Sequence, residues 1–91
     1  MDEYDVVWSR ESIYDAADIT DYIEFRFGQE RADQFLHDIN YAVESLGTGF
    51  RYYSGTGIYY RQKLILKKVF NPSVIFYFVD DARKKVFIIR I

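Results

Sequence analysis

Two consecutive stretches carry apolar residues at spacings of three and four: Ile13, Ala16, Ile19, Ile23 and Phe27, then Ala32, Phe35, Ile39, Val43 and Leu46. Each set falls on one face of a helix. Ser9 stands as N-cap to the first, with Glu11 in the first turn, where negative charge suits the helix dipole. Gly28 closes the first at the C′ position, which calls for a left-handed backbone, and Gly47 closes the second. So short a joint makes an antiparallel helical hairpin, and its apolar stripes need a sheet to lie on. Tyr4 to Trp8, just before it, reads as a first strand.

After Gly47 the period changes. Gly47 to Gly57 holds four of the five glycines and is expected to be a loop; no Gly-Lys-Ser/Thr ending marks it as a phosphate cradle. Ile58 to Phe70 reads as one strand, with Arg61, Lys63 and Lys67 on one parity and Tyr60, Leu64 and Leu66 on the other. Asn71-Pro72 breaks the run and turns the chain. Val74 to Val79 is an unbroken apolar run of strand length, expected to be covered on both faces. Asp80 to Lys84 supply a polar turn, and Lys85 to Ile91 return as a last strand. This final hairpin is the expected centre of the sheet. The fold class is therefore α+β, a single domain over residues 1–91 in the order β-α-α-β-β-β. The helical hairpin packs on one face of a small, mainly antiparallel sheet.

Composition narrows the function classes. There is no cysteine, which removes disulfides, thiol nucleophiles and thiolate metal sites. One histidine and helix-borne acids spaced by three, Asp15, Asp18 and Asp21, make no metal-ligand set; no metal or cofactor is expected. The acidic opening Met1-Asp2-Glu3-Tyr4-Asp5 lacks the basic and apolar regions of a signal peptide, and no run is long enough to span a bilayer, so a cytoplasmic protein is expected. The net charge of −2 conceals a division. Residues 1–46 carry three basic and twelve acidic side chains, a net of −9; residues 47–91 carry nine basic and two acidic, a net of +7. Either the halves neutralise each other across the fold or the second half meets an anionic partner. The strand parity favours the second: the leucines would face the helices, and Arg61, Lys63, Lys67 and Arg90 would project from the uncovered side. Arg51 is a further candidate for anion or nucleic-acid binding, and Tyr52 and Tyr53 could stack bases at the rim or plug the loop against the helices.

Six segments occur in a telling order: Ser9 to Ile23 (SRESIYDAADITDYI), Gly28 to Phe35 (GQERADQF), Ile39 to Leu46, Tyr60 to Leu64 (YRQKL), Val74 to Asp80 (VIFYFVD) and Val86 to Ile91 (VFIIRI). Together they resemble the RelE/ParE superfamily, the toxins of bacterial type II toxin–antitoxin modules. The resemblance implies a small growth-inhibiting toxin held inactive by a cognate antitoxin, meeting operator DNA only through it. Some members cleave mRNA within the ribosome; ParE-type members poison DNA gyrase. By motif position, Arg61, Lys63 and Arg90 would hold the RNA backbone in a ribonuclease, since arginine offers phosphate a fixed fork of donors. The arginine that many relatives carry before the central strand falls at Ser73, and the chain ends at Ile91, where ribonuclease relatives continue into a tail with His, Tyr or Arg. His37, on the second helix, is expected to face solvent. Acid–base chemistry would then rest on a tyrosine such as Tyr59 or Tyr60, or on a lysine. Tyr77 belongs to the core. Three outcomes stay open: a ribosome-dependent endoribonuclease, a gyrase inhibitor, or an inactive member that only binds its antitoxin.

Overall fold

A computed structural model describes residues 3–91; Met1 and Asp2 of the acidic opening lie outside the described residues. The elements are β1 (Asp5–Trp8), α1 (Arg10–Phe27), α2 (Gln29–Glu44), a short α3 (Leu46–Gly49), a 3-10 turn (Phe50–Tyr52), β2 (Ser54–Tyr60), β3 (Lys63–Phe70), β4 (Ser73–Asp80) and β5 (Lys85–Arg90). One five-stranded sheet runs in the order β1-β5-β4-β3-β2. Its β1–β5 pair is parallel and the other three pairs are antiparallel. The expected α+β architecture is found, with β4 at the centre of the sheet.

Ser9 begins α1 as the spacing predicts. Its hydroxyl accepts from the Ser12 amide at 3.0 Å and donates to the Ile89 carbonyl at 2.7 Å, so one cap ties the helix to β5. Gly28 ends α1 with φ 95°, its amide donating to Glu24. The α2 stripe works as read: Ala32, Ile39, Val43 and Leu46 are buried and Phe35 packs on the same core. From the sheet, Ile75, Tyr77, Val86 and Ile88 meet them. Burial of each such aliphatic side chain contributes about 1.5–3 kcal/mol. The α1 stripe is less completely covered: Ala16 is buried, whereas Ile13 and Phe27 at its ends are exposed. Gly47 is required by close approach, because a Cβ there would lie 2.7 Å from the Tyr4 carbonyl oxygen.

Three expectations are corrected. Gly47 to Gly57 is not a loop; it holds most of α3, the 3-10 turn and the first half of β2. Ile58 to Phe70 is not one strand either. The chain reverses at Arg61-Gln62, both at positive φ (49° and 68°), which is the two-residue hairpin geometry usually filled by Asn-Gly. Without those residues the turn left no trace in the composition, and Tyr60 lands opposite Lys63, away from Leu64 and Leu66. Finally, β4 is covered by helices on one face only. Ile75 and Tyr77 are buried there, while Phe76 and Phe78 on the other face are half-buried among their sheet neighbours.

Candidate functional site

The helix-free face of the sheet is apolar at its middle and charged at its edges. Alternation places Lys63, Ile65, Lys67 and Val69 of β3 on this face, in register with Phe76 and Phe78 of β4 and Phe87 of β5. Val7, Tyr60, Ile65, Phe78 and Phe87 line a hollow of about 500 Å³. Phe78 stacks on Phe87 with centroids 5.1 Å apart, and Tyr60 lies 5.9 Å beyond Phe78. The unbroken apolar run of β4 is thus explained by a lined hollow and not by a second covering layer.

The predicted cations are only partly brought together. Arg61, at the hairpin turn and not within a strand as expected, reaches the hollow's rim with its guanidinium 5.3 Å from the Tyr60 ring centroid. Arg90 lies at the same rim but is already paired. Its Nε and Nη2 donate to the two carboxylate oxygens of Asp15 at 2.7 and 2.8 Å, and the Ile91 amide donates to Asp15 at 3.0 Å. The hydrogen bond from Arg90 is the chief reason the Asp15 pKa lies below its ordinary value. The Asp15 side chain is only 14 % exposed. Lys63 and Lys67 do project from this face. Arg51 does not: it lies over the rings of Phe50 and Tyr4, at 4.3 and 5.6 Å, on the core side. Tyr53 packs against the core with the Lys68 ammonium 5.1 Å from its ring, as a plug for the fold; Tyr52 is exposed.

Sequence reasoning missed three features. Lys68 points to the helical side, donating to the Ala42 carbonyl and Ser45 hydroxyl at 2.9 Å, which closes the C-terminal end of α2. The Asp15–Arg90 pair joins residues 75 apart, a distance no local pattern spans. The third is a row of aromatics on the outer face of α1. Successive residues turn by about 100°, so Tyr14, Tyr22 and Phe25 fall within roughly 80° of arc, opposite the buried Ser12 and Ala16.

The ionisable groups lining the hollow are Glu11, Tyr60, Arg61 and Arg90, with no histidine among them. Tyr77 is buried, its hydroxyl donating to the Phe50 carbonyl at 2.8 Å. His37 is exposed on α2, beside a shallow groove with Tyr41, Lys68 and Phe70. Tyr59 and Tyr60 are both exposed. Among the described residues no group of three His, Cys, Asp or Glu could hold a metal ion, and no helix is long and apolar enough to cross a membrane.

Comparison with known proteins agrees with this geometry. A family model described as the ParE toxin of the type II toxin–antitoxin system parDE matches residues 6–91. No curated protein matches the chain. Among solved structures, the chromosomal ParDE toxin–antitoxin system from P. aeruginosa aligns with a TM-score of 0.73 at 21% identity. The alignment covers 97% of this chain and 92% of that one, a likeness of fold.

Proposed function

Because the chain belongs to the ParE toxin family of type II toxin–antitoxin systems, we propose that it arrests growth by inhibiting DNA gyrase until a cognate antitoxin neutralises it. The state of the sheet's bare face carries this choice over mRNA cleavage. A ribonuclease needs cations free to grip phosphate and a group placed to move a proton. Here Arg90 is held by Asp15, the centre of the face is a set of stacked rings, and His37 belongs to the helical layer. An apolar hollow with charged edges is the anatomy of a protein-binding surface. Its occupant is a segment of the antitoxin that lays an apolar side chain against Tyr60, Phe78 and Phe87, with carboxylates opposite Arg61 and Lys63. Operator DNA is then reached through the antitoxin, and the target places the action in the cytoplasm.

Purified toxin added to gyrase and relaxed plasmid should block supercoiling and leave cleaved-DNA complexes, and added antitoxin should restore supercoiling. The same toxin in a translating extract should leave the message intact. Normal supercoiling at large toxin excess, with mRNA truncated at the ribosomal A site, would replace this mechanism by the ribonuclease one. The three cations of the bare face, Arg61, Lys63 and Lys67, are what would then hold the message. Unimpaired growth on induction would leave an antitoxin-binding protein only.

A further inference from the structure

The helical hairpin ends in an aromatic tip that nothing in the fold covers. Every residue from Glu24 to Arg31 is exposed, and the molecule is drawn out to 42 Å along its longest axis. Phe25 is 87 % exposed, and Tyr22 and Phe27 are each 57 % exposed. Two cations sit on these rings. The Arg26 guanidinium lies 6.0 Å from the Tyr22 centroid, and that of Arg31 lies 5.5 Å from Phe27. Among the described residues neither arginine meets a carboxylate within ion-pair distance, although the hairpin is rich in acids. Leaving Phe25 in water forgoes a burial worth about 1.5–3 kcal/mol, so a helix that needed only solubility would carry a polar residue there. Aromatic rings beside arginines are the side chains that dominate protein interfaces.

From this we infer that the hairpin tip, with Tyr22, Phe25 and Arg26 on the outer side of α1 and Phe27 and Arg31 at the turn into α2, is the surface with which the toxin engages its protein target end-on, separate from the sheet hollow. The occupant is a protein with an apolar recess for Phe25 and carboxylates for the two guanidiniums. Nucleic acid does not fit, because Asp18, Asp21, Glu24 and Glu30 surround the tip with negative charge. The identity of that protein as gyrase rests on the function proposed above; the location of the contact does not.

The test combines Phe25→Ala, the double variant Tyr22→Ala/Phe25→Ala, and the charge reversal Arg26→Glu/Arg31→Glu, with Tyr41→Ala as an exposed aromatic control on α2. Alanine in an exposed helical position favours the helix, so these chains should fold, which thermal melts would check. Three readouts separate the ideas: growth arrest on induction, gyrase supercoiling, and affinity for the antitoxin. The tip variants should lose growth arrest and raise the half-inhibitory toxin concentration about tenfold or more, with antitoxin affinity unchanged, whereas Tyr41→Ala behaves as wild type. Folded tip variants that arrest growth as wild type does would overturn the inference. So would loss of antitoxin binding, which would make the tip an antitoxin seat, or a toxin dimer that the variants dissolve. If wild type arrests growth without touching supercoiling while the tip variants are inert, the gyrase assignment falls and the tip contact stands.

Discussion

Tyr77→Phe removes one oxygen from the centre of the molecule and nothing else. The ring stays in a fully buried site between β4 and the helices, and the lost hydroxyl had donated to the Phe50 carbonyl across a 2.8 Å bond. The carbonyl is left without this partner. An unsatisfied buried group of that kind costs about 1–3 kcal/mol. For a domain of this size each kcal/mol lowers the melting temperature by roughly 4–8 °C. Urea titration at neutral pH should therefore show a lower midpoint with an unchanged slope. High pH supplies a second, independent reading. Burial, and secondarily the charge of Tyr53, pushes the Tyr77 pKa above its ordinary value, whereas in the unfolded chain it titrates near 10. Above that pH the unfolded wild type binds fewer protons than the folded one at this site. Its stability then falls by up to about 1.4 kcal/mol per pH unit until the folded pKa is reached. Phenylalanine has no such term, so the wild-type advantage seen at neutral pH should shrink above pH 10. Equal stabilities at neutral pH, or a gap that stays constant to pH 11, would refute the buried hydroxyl bond.

Asp15→Asn should destabilise the protein fully above about pH 4 and progressively less as pH falls below that. The wild-type carboxylate has a lowered folded pKa, so its contribution is complete above the unfolded value and is lost as pH falls through the folded one. Melting curves from pH 2 to 7 check this, and parallel profiles for the two proteins would contradict it. Gly47→Ala should cost about 1–3 kcal/mol through the clash with the Tyr4 carbonyl, whereas at Gly49 a Cβ would find only the Tyr52 ring at 3.9 Å and alanine should be tolerated; equal urea midpoints for the two would show that β1 yields freely. Lys68→Met should cost about 1–2 kcal/mol and speed amide exchange in the last turn of α2, and unchanged exchange there would remove its capping role.

The bland account of the divided charge holds at one place. Asp15 of the acidic half neutralises Arg90 of the basic half, which stands at the rim of the hollow. Arg61, Lys63 and Lys67 remain on the bare face, so the anionic-partner account keeps part of its support. A face with fewer free cations and a ring-lined centre suits an acidic, apolar peptide better than a phosphate backbone.

What the sequence determined alone was whatever depends on near neighbours. Helical spacing from Ile13 to Leu46, the Ser9 cap, Gly28 and the Asp80–Lys84 turn set the helices, their joint and the last hairpin. In each, the residues that decide the geometry sit within a turn or two of one another. Ordered short motifs carried the family for the same reason. Tertiary structure alone decided where the strands reverse and which charges are free. The Arg61-Gln62 turn has no composition of its own, and a reversal there moved Tyr60 to the opposite face, because side chains alternate with period two. The Asp15–Arg90 bond, the Lys68 cap and the stacking of Phe78 on Phe87 join residues that become neighbours only once the sheet has formed. Exposure of Phe25 is likewise invisible in a pattern of letters: an aromatic looks the same whether the fold covers it or leaves it to a partner.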